Sequence, residues 1–304
     1  YYPMEEARAQ LRALGLDETM TYSFVNPAVA VSCTGVETDQ LVAPCNPLSN
    51  ELGVLRPSLI PGVIGTLAHN VARGQEDLAF FELGRVLVHQ PDVPEERYQI
   101  AIVISGRAHP NRFGGEKAVE LDVFDLKGIV EGWFAARRLL PECRAGSHPA
   151  CRDGACAFLR IDGVDVAVLG EVREALTADI RLKHPVFIAL IELDRVSVLA
   201  GTPRVYSALP LFPSVSRDVS FLAPSSLTHR QVVEAILSLG EDLIEKVEVF
   251  DIYADEASLG PGKCSLAYTV VYRDRAKTLT DEEVNAVHER VRHHLSTDLG
   301  VELR

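Results

Sequence analysis

A chain of 304 residues, 47% of them hydrophobic, is long enough for about two domains with ordinary buried cores. It has no apolar run of the length that crosses a bilayer as a helix, and its first residues lack the basic and apolar regions of a signal peptide. A formal net charge of −13 argues against a general binder of polyanions, since phosphate neutralisation needs Lys and Arg. Local contact with a few unstacked bases remains open, because stacking and edge hydrogen bonds carry it.

Residues 5–14 read as a short amphipathic helix stopped by Gly15, and 19–25 as a strand closed by Asn26 and Pro27. Residues 41–44 and 52–55 are extended around the turn at Asn46 and Pro47. A helix over 60–72 is entered through Pro61, whose missing N–H costs nothing in a first turn. Strands follow at 80–89 and 99–105, joined by a Pro-rich loop. The next helix, over 123–136, carries Phe124, Ile129, Val130, Trp133 and Phe134. Residues 155–161 and 164–169 form a predicted hairpin around Asp162 and Gly163. Residues 186–193 are a buried strand running into a short helix. Long strands broken by helices, without βαβ repetition, predict an α+β fold with an antiparallel sheet. A linker is expected at residues 201–203.

Beyond the linker the order is strand, helix, strand, strand, helix, strand. Residues 219–223 form the first strand, and Pro224, Ser225 and Ser226 break it. Thr228 is the N-cap of a helix whose apolar face is Val232, Val233, Ile236, Leu237 and Leu239, stopped by Gly240. Residues 244–253 are extended, Gly260 to Gly262 turn, and 264–273 return. Thr280 and Glu283 make a capping box for a helix reaching Gly300, and 301–304 suffice only for a closing strand. This βαββαβ order is that of a ferredoxin-like sandwich, with both helices on one sheet face and the other face free.

Four strings in this tail carry a resemblance: 212–218 (Phe-Pro-Ser-Val-Ser-Arg-Asp), 250–253 (Phe-Asp-Ile-Tyr), 262–267 (Gly-Lys-Cys-Ser-Leu-Ala) and 278–283 (Thr-Leu-Thr-Asp-Glu-Glu). In order and at compatible spacing, they resemble the ferredoxin-fold anticodon-binding domain that closes the β subunit of bacterial phenylalanyl-tRNA synthetase. Upstream, the strings at 20–24 (Met-Thr-Tyr-Ser-Phe), 46–49 (Asn-Pro-Leu-Ser), 55–62 (Leu-Arg-Pro-Ser-Leu-Ile-Pro-Gly), 80–86 (Phe-Phe-Glu-Leu-Gly-Arg-Val) and 122–128 (Asp-Val-Phe-Asp-Leu-Lys-Gly) are similar to its catalytic-like module. The resemblance covers nearly the whole chain and does not reach the N-terminal half of that subunit. The chain is therefore expected to be a C-terminal fragment. It implies a class II synthetase-like module over 1–201 and an anticodon-binding domain over 205–304.

The resemblance also implies that the first module is not catalytic. Class II sites hold the ATP α-phosphate with an Arg following a Gly-Arg-Val-Tyr-like string, because the transferring group needs a cation. Here the string is Gly84, Arg85, Val86, Leu87, and the next residue is the uncharged Val88. The glycines of the third motif are missing around Glu192, although Arg195 stands at its arginine position. The expected role is a scaffold, with no cofactor bound by this chain. A separate catalytic α subunit supplies the chemistry in a heterotetramer, with ATP and Mg in the full complex, in the cytoplasm.

The site the resemblance carries over is Ser220, Asp251, Tyr253 and Ser265, which contact the tRNA anticodon in the family. The residue types suit the task. Asp251 and Tyr253 stand two apart on a strand and share a face, with Ser265 on the next strand and Ser220 on the first. The ring can stack on an unpaired purine while Asp251 accepts from a guanine edge. The bland alternative is a Tyr–Ser cross-strand pair on a solvated face. A different class, a small-molecule or protein-binding regulatory module using the same face, also stays open, since this sandwich hosts many roles.

Other candidates are weaker. The six cysteines form no Cys-x-x-Cys pair; Cys143, Cys151 and Cys156 cluster around His148, and reduced, partly buried thiols are favoured over a metal site. His293 and His294 are adjacent and do not face each other on a helix. Gly62 and Gly65 lack the Lys and Ser/Thr of a phosphate loop.

Overall fold

The computed structural model describes residues 2–47, 49–90, 93–108, 119–199, 201, 203, 205–206 and 208–304. Leu48, within the expected 46–49 string, and Thr202, within the expected linker, lie outside the described residues. The chain divides into two units, Tyr1–Arg204 and Val205–Arg304.

The first unit runs α1 (Tyr2–Ala13), β1 (Asp17–Glu18), β2 (Phe24–Val25), α2 (Pro27–Thr34), β3 (Val54–Leu55), α3 (Ile60–Val71), β4 (Leu78–Val88), β5 (Glu95–Ser105), α4 (Val123–Ala136), β6 (Glu142–Ala145), β7 (Cys151–Ile161), β8 (Val164–Val172), β9 (Val186–Glu192) and α5 (Leu193–Ser197). Its main sheet has the order β1-β4-β5-β9-β8-β7-β6, antiparallel except for β1 against β4. This is the expected α+β arrangement. Strand alternation sends Phe81, Leu83, Ile100, Ile102 and Ala189 to one core with Leu126, Val130 and Trp133 of α4. Phe80, Val86, Ala101, Val103 and Ile188 face the other way, against Leu59, Val63 and Leu67 of α3 and its entry.

Two local expectations change. The strand predicted over 19–25 is only Phe24–Val25, paired with Val54–Leu55. The polar groups before it are satisfied elsewhere: Thr19 N–H donates to the Phe81 carbonyl at 2.8 Å, and the Thr21 hydroxyl to Glu82 at 2.8 Å. Asn26 and Pro27 start a helix rather than merely ending a strand. The Asn26 side chain accepts from Ala28 N–H, Pro27 fills the first turn, and Gly35 ends α2 at φ 69°. The hairpin stands as expected, with Asp162 and Gly163 at φ 50° and 80° between β7 and β8.

The second unit runs β10 (Val215–Pro224), α6 (His229–Ser238), β11 (Ile244–Tyr253), α7 (Glu256–Leu259), β12 (Lys263–Tyr272), α8 (Asp281–Asp298) and β13 (Glu302–Leu303). The sheet order β11-β12-β10-β13, antiparallel throughout, gives the ferredoxin-like sandwich. The expected Thr280–Glu283 capping box forms, and the expected N-cap Thr228 forms a second one with Gln231. Phe221, Leu266, Tyr268, Val270 and Tyr272 pack against Val232 and Ile236 of α6 and Val284, Val287, Val291 and Leu295 of α8. The buried Tyr268 and Tyr272 hydroxyls pair with His229 Nδ1 at 3.1 Å and His288 Nδ1 at 2.9 Å. β10 starts at Val215, before the predicted Val219, because Arg217 is held by Asp281 at 2.6 Å and Asp218 accepts from Thr269 at 2.6 Å. The short α7 was not predicted; the Asp255 side chain accepts from Ala257 N–H at 3.0 Å and starts it.

Candidate functional site

With both helices against Phe221 and Tyr268, the alternate residues of β10, β11 and β12 form the helix-free face. All four expected residues stand on it, in two adjacent rows. In one row Tyr253 pairs with Ser265, which pairs with Leu222; in the next, Asp251 pairs with Ala267, which pairs with Ser220. Asp251 and Tyr253 are exposed, and Ser220 and Ser265 half-buried. Ala267 is buried between Asp251 and Ser220, so the centre of the face is low, with a carboxylate and a hydroxyl on its flanks.

Tyr253 and Ser265 are cross-strand partners, and the Tyr253 hydroxyl is bonded elsewhere. It donates to Asp255 at 3.0 Å and accepts from Ser258 at 3.3 Å, both just beyond it on the chain. Those bonds anchor the edge of the ring and leave 47% of the residue exposed. The Ala257 N–H, followed by the Tyr253 and Ser258 hydroxyls, holds the Asp255 carboxyl below its usual range.

Sequence reading did not find two neighbours of this face. Phe250, 58% exposed, sits at a break in register between Val249 and Asp251. Nothing in the alternation of the strand marks such a bulge. Arg304 donates its backbone N–H to the Ser220 carbonyl at 2.9 Å and so lies beside that residue. The predicted closing strand was the available signal.

In the first unit, Glu82, Gly84 and Val88 fall on the α3 side of β4. Gly84 pairs with Gln99, which pairs with Glu192 across β4, β5 and β9. Gln99 Nε2 donates to Glu192 at 2.7 Å, and its oxygen accepts from Leu59 N–H at 3.3 Å. Burial pushes the Glu192 carboxyl up, against the pull of that bond. Arg195 is engaged elsewhere, donating to the Asp165 carbonyl at 2.8 Å. Among the described residues no group of three or more His, Cys, Asp or Glu could hold a metal, and no helix is long and apolar enough to cross a membrane.

Comparison with known proteins joins these observations. Residues 4–193 match the family described as the phenylalanyl tRNA synthetase beta chain CLM domain, and 210–304 the ferredoxin-fold anticodon binding domain. Phenylalanine–tRNA ligase β subunits from Halalkalibacterium halodurans and Symbiobacterium thermophilum are 32% and 34% identical, each over 98% of this chain. The chain spans only 37% and 34% of those two relatives. Pyrrolysyl-tRNA synthetase from Desulfitobacterium hafniense is similar in structure over 64% of this chain and 66% of that one, at TM-score 0.48 and 14% identity. Matched along both of its units, the chain belongs to the family of phenylalanine–tRNA ligase β subunits.

Proposed function

We propose that this chain is the scaffold and anticodon-reading part of a phenylalanine–tRNA ligase that joins phenylalanine to tRNA(Phe) at the expense of ATP. A catalytic α subunit supplies the chemistry, with ATP and Mg, in the cytoplasm. One observation carries the reading: Tyr253 and Asp251 stand side by side with Ser265 and Ser220 on the sheet face opposite α6 and α8. A base stacks on the Tyr253 ring, Asp251 accepts from the Watson–Crick edge of a guanine, and the serine hydroxyls give or take one bond each. The buried Ala267 lets the base approach.

The first unit serves as the body that holds this reader to the ligase. Its α3-side face does not fit a nucleoside triphosphate. Glu82 and Glu192 put carboxylates on that face, Val88 carries no charge, and Arg56 is already committed to Glu82. Phosphate there would meet repulsion rather than the cations that transfer requires.

The test is aminoacylation and tRNA(Phe) binding by the full ligase with Tyr253→Ala. The expected loss is about 1–3 kcal/mol, the stacking scale. Unchanged binding and kinetics would remove the assignment. The scaffold reading is checked separately by phenylalanine-dependent ATP–pyrophosphate exchange on the chain without its α subunit, where none is expected.

A further inference from the structure

In the first unit three cysteines share one core: Cys33, Cys151 and Cys156 are all buried in the cluster under α3. Two of them are neighbours on one strand. Cys151 pairs with Val172 and Cys156 with Gly170, and the register breaks between them. The intervening Arg152, Asp153 and Gly154 are exposed, and Gly154 takes a left-handed φ of 74°. This bulge removes the extended spacing that would hold residues five apart well beyond bonding reach.

Gly170 reports how close they come. A Cβ there would lie 3.0 Å from Cys151 Sγ and 3.1 Å from Cys156 Cα. Their partners Val172 and Gly170 stand two apart on β8, so the two side chains share a face with their Cα atoms roughly 6–7 Å apart, at the edge of disulfide reach. The charge state of either sulfur bears directly on the other. A side chain at position 170 would meet the Ala155 carbonyl first, and then the Cys151 sulfur.

We propose that Cys151 and Cys156 are a redox-modifiable dithiol that a peroxide converts to an intrachain disulfide across the bulge. The neighbouring Cys151 thiol and the His148 backbone N–H favour a thiolate at Cys156, whereas the neighbouring Cys156 and burial push Cys151 up. Cys156 is also the less deeply buried of the two, which makes it the attacking sulfur. It takes the terminal oxygen of hydrogen peroxide, becomes a sulfenic acid and releases water. Cys151 then attacks that sulfur, and the sulfenic oxygen leaves as a second water. Two thiols lose two electrons and two protons, and the peroxide gains them. Cys33, pushed up to about 11 by burial, stays a spectator.

The sequence supplies a clean assay. Arg144, Arg152 and Arg160 are tryptic sites, so Cys151 and Cys156 fall on separate peptides, 145–152 and 153–160. The full-length subunit in its complex is treated with excess hydrogen peroxide, its free thiols are alkylated, and it is digested without reductant. The expected product is the two peptides joined, and dithiothreitol before alkylation separates them. The exposed Cys45 serves as the internal measure of oxidant dose. Recovery of both peptides unlinked once Cys45 is fully oxidised overturns the proposal, as does a bond from either to Cys33. In C151S, dimedone should capture Cys156 as its sulfenic acid, and capture at Cys151 in C156S instead would reverse the order of attack and refute it.

Discussion

Arg56 Nη1 lies 2.6 Å from Glu82 in an ion pair whose side chains are only 5% and 2% exposed. The guanidinium also donates to the Thr21 hydroxyl at 3.1 Å and, through Nε, to the Arg85 carbonyl at 2.8 Å. The Thr21 hydroxyl in turn donates to the second Glu82 oxygen at 2.8 Å. The pair thus ties the segment before β2 to the string that resembles a nucleotide-binding motif. A side chain at Gly84 would run into the Arg56 guanidinium, so the glycine is required by the pair.

Breaking that pair from one side leaves a buried charge alone. Arg56→Met and Glu82→Gln should each cost about 3–5 kcal/mol. Urea unfolding of the first unit's transition measures this, and a shift no larger than that of exposed Arg85→Met, about 0.5 kcal/mol or less, would contradict it.

Tyr253→Phe separates the ring from its hydroxyl. The phenylalanine keeps the stacking surface and loses the bonds to Asp255 and Ser258. Binding of tRNA(Phe) by the full ligase should fall by at most about 1 kcal/mol, less than for Tyr253→Ala. Equal losses in the two variants would move the role from ring to hydroxyl.

His288 gives the second unit an acid-side weakness. Burial, reinforced by Arg292 and Arg217 and opposed by the Asp218 backbone and Glu289, holds its pKa below the ordinary value. Below about 6.5 the unfolded chain takes up a proton that the folded one resists. Stability is therefore complete above that pH and declines as pH falls through the folded value. His288→Gln should flatten the dependence of the urea midpoint between neutral and mildly acid pH. An unchanged slope would exonerate this residue.

Glu192 has the opposite sign. Its carboxyl is raised by burial, so ionisation favours the unfolded chain as pH rises through the folded value. Glu192→Gln removes the charge and keeps a polar partner for Gln99. The expected result is a gain in thermal stability at neutral pH, on the order of 1 kcal/mol or less, that vanishes in acid.

Much of the second unit is legible because its signals are local. Thr280 and Glu283 close their capping box within a single turn, and the alternation of Asp251 and Tyr253 needs only the strand itself. What escaped depends on distant partners. The segment before β2 has strand composition, yet Thr21 is claimed by Glu82, sixty-one residues later. α7 forms where Asp255 caps it, and that carboxylate is shared with Tyr253. β6 is mostly exposed and polar, so no apolar period announces it; it exists by pairing with β7. In the candidate site the residue types were legible, whereas the bulge at Phe250 was not.

The two hydroxyl–imidazole bonds behind the sheet bear on how its front works. Tyr268 and Tyr272 belong to β12, the same strand that presents Ser265 and Ala267 on the other side. One tyrosine is fastened to α6 and the next to α8, so the strand is bolted at two points against its own backing. A plate held that way does not flex to suit a poorly shaped guest. Its ordering cost is met during folding rather than at encounter. Under the proposed reading, discrimination at this face acts by refusal, through misfit and unpaired polar groups, and not by closing around the correct ligand.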